Sequence, residues 1–456
     1  MKKLLVLFCL SLFLLLANRQ AKGIYDPISV PNNRFGIHIV SEVDLGNAAQ
    51  LVNSSGGKWG YVALVIRQDE QNVGYWQEIF KKTNRLKLIP IIRLATQAQG
   101  DYWQKPELEQ AESWANFLDQ LPWPTQNRYV VIFNEPNHAK EWGQEINPAE
   151  YGAIFKEYAS KLKEKSRDFF ILPAGLDASA SNHPGSTLDE VTFLSQMTNA
   201  QPDFFDYLDG WTSHSYPQPD FKGSPNDSGR GTVKTYLWEL NLLENLGLNR
   251  QLPVFITETG WNQRGISTDT LVSHYQTAFK TVWDDPQIVA IIPFLLNYQG
   301  EPFADFSWQV LGATTFQPHY YTVQALTKTT GEPKQKHQVE ILNRFPNQLV
   351  AKTTYNLSLK ITNQGQSIIS PEDGFEVRIE TTPQLDLHLG LLPTIEPGET
   401  KELKINFTPS GEDKIYQIKY WLARKSQAVS PTRQQILKVF PLLSLKGFMV
   451  WLKLIK

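Results

Sequence analysis

Two glutamates carry the main chemical signal of this chain of 456 residues. Glu135 follows the apolar run 129–133, and Glu258 follows the apolar run 254–256. A short β-branched and aromatic run that ends in polar residues is typical of a buried parallel strand opening into a loop. Because an unpaired buried carboxylate is costly, two strand-end carboxylates indicate a functional pair. Glycoside hydrolysis needs such a pair, one group to protonate the leaving oxygen and one to attack or to activate water.

The elements that must position these glutamates alternate between strands and helices. Strand-like runs occupy residues 34–40, 60–66, 86–96, 129–133, 169–175, 206–217, 254–258 and 289–298. Helical apolar spacing appears between most of them. Eight such strands over roughly 300 residues predict a (β/α)8 barrel. An open doubly wound sheet is the competing architecture, but no G-x-G-x-x-G motif follows the first strand and no G-x-x-x-x-G-K-[ST] motif occurs.

The periodicity changes after residues 327–338, which have the Lys, Thr, Gly and Pro content of a linker. Beyond them, apolar and polar residues alternate in separate short runs, as in half-buried antiparallel strands. These runs are 354–362, 375–380, 402–407 and 415–422. They predict a small β-sandwich of immunoglobulin type. We therefore divide the chain into a barrel (23–335), a sandwich (336–440) and a C-terminal tail (441–456).

The N-terminal residues 1–22 resemble a secretory signal, with Lys2 and Lys3 before an apolar run at 4–17. An uncleaved N-terminal anchor is the alternative. Either interpretation predicts export, to the extracellular space or the cell surface. Cys9, the single cysteine, lies in this segment, so the mature chain offers no disulfide, thiolate metal site or thiol nucleophile.

The tail 441–456 is apolar with Lys446, Lys453 and Lys456 interspersed. Three interpretations fit this pattern: a membrane-surface segment, an edge strand or a packing segment. The formal net charge of −2 gives no indication of a nucleic-acid partner. Association with a membrane or cell surface through either terminus stays open, and the oligomeric state is not indicated.

The chain resembles the clan A retaining glycoside hydrolases, with families five and thirty-nine nearest, over about residues 33–326. The Asn-Glu-Pro motif at 134–136 matches the strand-four acid/base motif of that clan. The Thr-Glu-Thr-Gly-Trp motif at 257–261 matches its strand-seven nucleophile motif, and His-Ser-Tyr at 214–216 matches its strand-six motif. The resemblance implies a (β/α)8 barrel that cleaves glycosidic bonds with retention of configuration.

The resemblance also implies a role for each matched residue. Glu135 would protonate the glycosidic oxygen and later deprotonate water, while Glu258 would form a covalent glycosyl intermediate. Asn134 would hydrogen-bond the 2-hydroxyl of the sugar, an interaction that strengthens in the transition state. Tyr216 or His214 would hold the Glu258 carboxylate in orientation.

Further residues near strand ends are candidate substrate contacts. His38 is a candidate for the floor of the sugar site, and Arg93 for a direct substrate contact. Trp142, Trp261 and Trp308 are candidate stacking surfaces for sugar rings. The proposed chemistry requires no metal ion and no organic cofactor.

The sequence thus predicts an exported retaining β-glycosidase or glycanase that acts on an oligo- or polysaccharide. The alternative is a catalytically silent carbohydrate-binding or cell-surface adhesion protein on the same barrel. The presence of both carboxylates favours the enzyme. Sugar identity, linkage and endo or exo action depend on loop shape, which the sequence does not specify.

Overall fold

A computed structural model of the protein describes residues 23–409 and 414–455. The segment interpreted as a signal or anchor, residues 1–22, lies outside the described residues. The chain divides into two compact units, Met1–Lys334 and Gln335–Lys456, and each is described by itself. In the described part of the chain, no helix is long and apolar enough to cross a membrane.

Eight parallel strands form the barrel of the first unit within its described residues 23–334. They are β1 (Gly36–His38), β2 (Gly60–Arg67), β3 (Leu88–Ala95), β4 (Arg128–Ile132), β5 (Phe169–Pro173), β6 (Trp211–His214), β7 (Val254–Thr259) and β8 (Ile288–Pro293). Strands β1 to β5 pair in chain order, and so do β6 to β8. A parallel bridge between Phe35 and Ile291 joins β1 to β8, and the Thr212 hydroxyl donates to the Pro173 carbonyl across β5 and β6. The ring of strands is closed, which confirms the predicted (β/α)8 barrel.

Eight helices of this unit surround the barrel. They are α1 (Leu45–Val52), α2 (Val73–Arg85), α3 (Ala111–Asp119), α4 (Pro148–Lys165), α5 (Glu190–Ala200), α6 (Thr235–Asn245), α7 (Thr268–Thr277) and α8 (Pro318–Ala325). Helix α1 was not predicted from the sequence, because its eight residues are too few to show a clear helical period.

Side chains of the barrel strands alternate between the interior and the helix layer. In β2, Tyr61 lies in the interior cluster, while Val62 lies in the cluster shared with the helices. The Tyr129 ring contacts those of Tyr61, Phe170 and Phe255, with centroids 5.1 to 6.1 Å apart. Because both faces of each strand are buried, the strands appear in the sequence as continuous apolar runs.

The second unit is a two-sheet β-sandwich. Its strands are β9 (Val339–Asn343), β10 (Gln348–Val350), β11 (Tyr355–Asn363), β12 (Phe375–Thr382), β13 (Leu387–Leu389), β14 (Thr400–Phe407), β15 (Ile415–Arg424), β16 (Gln427–Ala428) and β17 (Arg433–Phe440). One sheet has the order β9-β11-β14-β13, and the other β10-β17-β15-β12 with β16 beside β15. Apolar side chains of both sheets form one core. This confirms the predicted sandwich.

The tail forms a helix, α9 (Leu445–Ile455), that packs against β10. Of the three interpretations of the tail, the edge strand is therefore wrong. The local reason is that Ser444 begins a helix: its hydroxyl accepts a hydrogen bond from the Gly447 amide at 2.9 Å.

Candidate active site

The loop after β4 positions Glu135. Phe133 and Glu135 have positive φ values of 70° and 34°, an uncommon conformation that concentrates at functional sites. The Glu135 amide donates to the Gly175 carbonyl at 3.1 Å. The buried Asn137 side chain donates to the carbonyls of Asp177 and, further along, Leu188. These bonds fix the loop that carries Glu135 to the loop that follows β5.

Strand β7 carries Glu258, and both of its carboxylate oxygens accept a hydrogen bond. Arg93 Nη1, on β3, lies 3.2 Å from Oε1, and the Tyr216 hydroxyl donates to Oε2 at 3.0 Å. The strand pairing places His214 of β6 beside Glu258. Of the two residues predicted to orient this carboxylate, Tyr216 is the one that bonds it directly.

His214 instead bonds Glu135. Its Nδ1 atom lies 2.8 Å from Oε1 of Glu135 and 3.9 Å from Oε2 of Glu258. A Cβ atom on Gly175 would lie 2.2 Å from Cδ2 of His214, so the ring occupies space that only a glycine leaves. The imidazole therefore lies between the two carboxylates.

The charges of these groups shift their pKa values in opposite directions. Burial alone would raise the pKa of Glu258, but His214, Arg93 and the Tyr216 hydrogen bond outweigh it and lower that pKa. Burial alone would lower the pKa of His214, but the charges of Glu258 and Glu135 outweigh it and raise that pKa to about 9. Burial and the charge of Glu258 raise the pKa of Tyr216 well above its ordinary value. At neutral pH, Glu258 is therefore ionised beside a protonated imidazole and a neutral phenol.

Asn134 lies beside Arg93 and Glu258, and both polar atoms of its side-chain amide form hydrogen bonds. Arg93 Nη1 donates to its Oδ1 at 2.6 Å, and its Nδ2 donates to Oε2 of Glu141 at 3.3 Å. Burial, and then the charge of Glu135, raise the pKa of Glu141. Glu141 was missed in the sequence, although it lies in the same polar stretch as Glu135, because a loop glutamate without a strand before it gives no separate signal.

His38 ends β1 and is buried beside the same charges. Burial, and then the charge of Arg93, lower the pKa of His38 to about 4, so the imidazole is neutral. Neither ring nitrogen has a hydrogen-bond partner in the described part of the chain. A buried polar group without a partner is costly, and both nitrogens are closed off from solvent in this structure.

The three tryptophans do not offer stacking faces, which corrects the prediction from the sequence. Trp142, Trp261 and Trp308 are 0%, 1% and 1% exposed and belong to the apolar core. The Trp142 indole donates to Glu150, and the Trp261 indole donates to the Gly223 carbonyl. Although each follows a strand end in the sequence, its ring packs into the protein, and no face is left for a sugar.

Partly exposed rings on the loops after β6 and β8 form an aromatic rim instead. The rim consists of Tyr216, Phe221, Phe306, Phe294 and Phe303. The centroids of contacting rings in the rim lie 5.1 to 6.3 Å apart, and the contacts form a continuous series from Tyr216 to Phe303. The side chain of Phe303 is 41% exposed. Single phenylalanines in loops carry no sequence pattern, so the rim was not predicted.

The arrangement is suited to acid/base and nucleophilic chemistry. One side-chain atom each of Glu135, His214 and Glu258 lies within 4.8 Å of the other two. Such a set has the donor types for a divalent cation, but Arg93 already places a positive charge 3.2 Å from Glu258. We conclude that the positive charge of the site is supplied by Arg93 and His214. The structure brings together Glu135, Glu258 and five of the eight predicted substrate contacts: Asn134, His214, Tyr216, His38 and Arg93.

No protein-family model and no curated protein sequence matches the chain. Several solved structures do. One is a subfamily 18 enzyme of glycoside hydrolase family 5 from Streptomyces cattleya, in complex with Manβ1-4GlcNAc. Its TM-score is 0.48 at 12% identity, and the matched region covers 64% of this chain and 80% of the Streptomyces chain. A family 39 glycoside hydrolase from Bacteroides cellulosilyticus has a TM-score of 0.45 at 13% identity, and the matched region covers 84% of this chain and 82% of the Bacteroides chain. The β-mannanase of Thermomonospora fusca, in complex with mannohexaose, has a TM-score of 0.39 at 14% identity. The matched region covers 63% of this chain and 89% of the mannanase chain. The chain thus has structural matches among the clan A glycoside hydrolases that its motifs resemble.

Proposed function

We propose that this protein is a retaining glycoside hydrolase that cleaves β-glycosidic bonds by double displacement. One observation carries the proposal: an oxygen of Glu135 lies within 4.8 Å of an oxygen of Glu258. Carboxyl groups about 5 Å apart fit a direct attack on the sugar, whereas inverting enzymes leave room for water with a gap of about 6.5–9.5 Å. The two carboxylates are held by different partners, which suits two different roles.

In the first step, Glu258 is the nucleophile. Its carboxylate oxygen forms a bond to the anomeric carbon as the glycosidic C–O bond breaks, and Glu135 gives a proton to the leaving oxygen. Arg93 and Tyr216 keep Glu258 ionised and oriented. The product of this step is a glycosyl ester of Glu258 and a free alcohol.

The proton that Glu135 delivers comes from the Glu135–His214 pair. At neutral pH the imidazole of His214 is protonated, because its pKa is about 9, and its Nδ1 lies 2.8 Å from Oε1 of Glu135, in a hydrogen bond. Transfer along this bond protonates Glu135 for the first step. In the second step, Glu135 takes a proton from water, the resulting hydroxide attacks the anomeric carbon, and the ester bond to Glu258 breaks.

The remaining groups of the site suit a sugar. The Asn134 amide provides hydrogen bonds to hydroxyl groups, and the partly exposed aromatic rim provides apolar surface. We propose an oligo- or polysaccharide as the substrate. The segment 1–22 suggests an exported enzyme, which cell fractionation would test.

The experiment is a hydrolysis screen with aryl β-glycosides and β-linked polysaccharides, mannans included. Wild-type protein should release product, and Glu258→Ala should abolish turnover, with partial rescue by azide as a replacement nucleophile. Full activity of Glu258→Ala would refute the proposal. If no substrate is cleaved while glycans still bind, the catalytically silent carbohydrate-binding protein becomes the better interpretation.

A further inference from the structure

Helix α9 presents an apolar face to solvent. Leu445, Phe448, Met449 and Leu452 recur at the spacing of one helix face, and each is exposed. The opposite face is occupied by protein: Gly447 and Val450 are buried, and the helix packs against β10. Two further side chains, Lys446 and Lys453, border the apolar face on one side, and Trp451 borders it on the other.

The helix is fixed in this orientation by its first turn. A Cβ atom on Gly447 would lie within 3 Å of the Pro441 carbonyl group, so the buried side of the helix fits closely at its start. The Ser444 hydroxyl accepts from the Gly447 amide and donates to the Pro441 carbonyl. The apolar face therefore does not turn inward by a simple rotation of the helix.

The charged residues of the chain segment that contains the helix are of one sign. Every charged residue after Asp413 is Lys or Arg, although the whole chain has a formal net charge of −2. Lys438 of β17 pairs with Gln348 of β10, the strand under the helix, and is exposed. An apolar helix face bordered by lysines and an indole is the composition of helices that lie in a bilayer interface.

We propose that α9 is an interfacial helix that binds the surface of an anionic lipid bilayer. Phe448 and Leu452 insert below the headgroups, Trp451 lies at their level, and Lys446 and Lys453 contact the anionic headgroups. A second copy of the chain is a poorer occupant. A two-fold contact brings the same surface together twice, which would leave these lysines without a negative partner.

The test uses the full chain with the helix itself as the reporter. In a Cys9→Ser background, Met449→Cys is labelled with an environment-sensitive fluorophore and mixed with vesicles of neutral lipid or of neutral lipid with an anionic lipid. We expect a blue shift with anionic vesicles only, reversed by salt, since exposed charges are screened. The same label at Leu391→Cys, which is 94% exposed on the same unit, should show no shift.

Two double variants separate the contribution of the apolar residues from that of the lysines. Phe448→Glu with Leu452→Glu should lower vesicle binding about tenfold or more, and Lys446→Gln with Lys453→Gln should weaken binding to anionic vesicles alone. Unchanged circular dichroism shows that the variants are folded. The proposal is wrong if the label does not respond to anionic vesicles, if binding is indifferent to these changes, or if the chain forms a lipid-free dimer that the glutamate variant abolishes.

Discussion

The Nδ1 atom of His214 lies 2.8 Å from Oε1 of Glu135. This contact links Glu135, the proposed acid/base, to a group that holds a proton at neutral pH, and the charge of Glu258 on the other side of the imidazole stabilises that protonated form. In the proposed mechanism the three residues act as one unit, because the charge of Glu258 favours the protonated form of His214 and His214 supplies the proton of Glu135. The account therefore predicts effects on rate, on pH dependence and on stability from residues that do not touch the scissile bond.

Replacement of His214 by Gln should lower kcat by about 100-fold or more, since proton transfer by a positioned acid contributes a factor of this order. The variant keeps a hydrogen-bonding side chain but removes the proton that passes to Glu135. Steady-state kinetics on an aryl glycoside with a poor leaving group measures the loss. A good leaving group, which needs little protonation, should restore most of the rate. His388→Gln, on the exposed surface of the sandwich, is the matched control and should have wild-type rates.

Stability should also depend on His214. Its pKa rises from 6.5 to about 9 on folding, so its contribution is complete below pH 6.5 and is lost as the pH rises through about 9. Denaturant unfolding from pH 6.5 to pH 9 should show a larger decrease in the free energy of unfolding for wild-type protein than for His214→Gln. Parallel curves for the two proteins would contradict the assignment.

Replacement of Tyr216 by Phe removes the hydrogen bond to Oε2 of Glu258 and leaves the ring in the aromatic rim. Hydrogen bonds to charged groups contribute about 1.5–3 kcal/mol, so kcat/KM should fall by about 10- to 100-fold. Because this bond lowers the pKa of Glu258, the acidic limb of the pH–rate profile should move to higher pH. Tyr236→Phe removes a comparable bond to Asp285, outside the site, and should change neither quantity.

Replacement of Gly175 by Ala should displace His214, because the new Cβ would lie 2.2 Å from its Cδ2. Overpacking of this kind costs about 1–3 kcal/mol of stability, and the displaced ring should lower kcat about tenfold or more. Gly46→Ala on α1, where a Cβ meets nothing within 4 Å, is the control. Activity that survives in Gly175→Ala together with full stability would show that the ring position does not matter.

The barrel was predictable because its strands are buried on both faces and stand out as apolar runs. The positions of Glu135 and Glu258 at strand ends were predictable for the same reason, since each follows such a run. The directions of side chains beyond the strand ends could not be predicted from the sequence. The motif position of Trp261 suggested a stacking surface for a sugar ring, whereas its ring lies in the core. The role of Arg93 depended on a contact with Glu258 across the barrel, which no local pattern reports. Short elements such as β10 and α1 also lacked enough residues to show a period.

The stereochemistry of hydrolysis tests the central claim most directly. With a cleavable β-glycoside from the screen, proton NMR during the first minutes of reaction identifies the anomer that forms before mutarotation. Double displacement through Glu258 predicts that the β-anomer of the product appears first. First appearance of the α-anomer would mean that water, not Glu258, attacks the sugar, and would contradict the account.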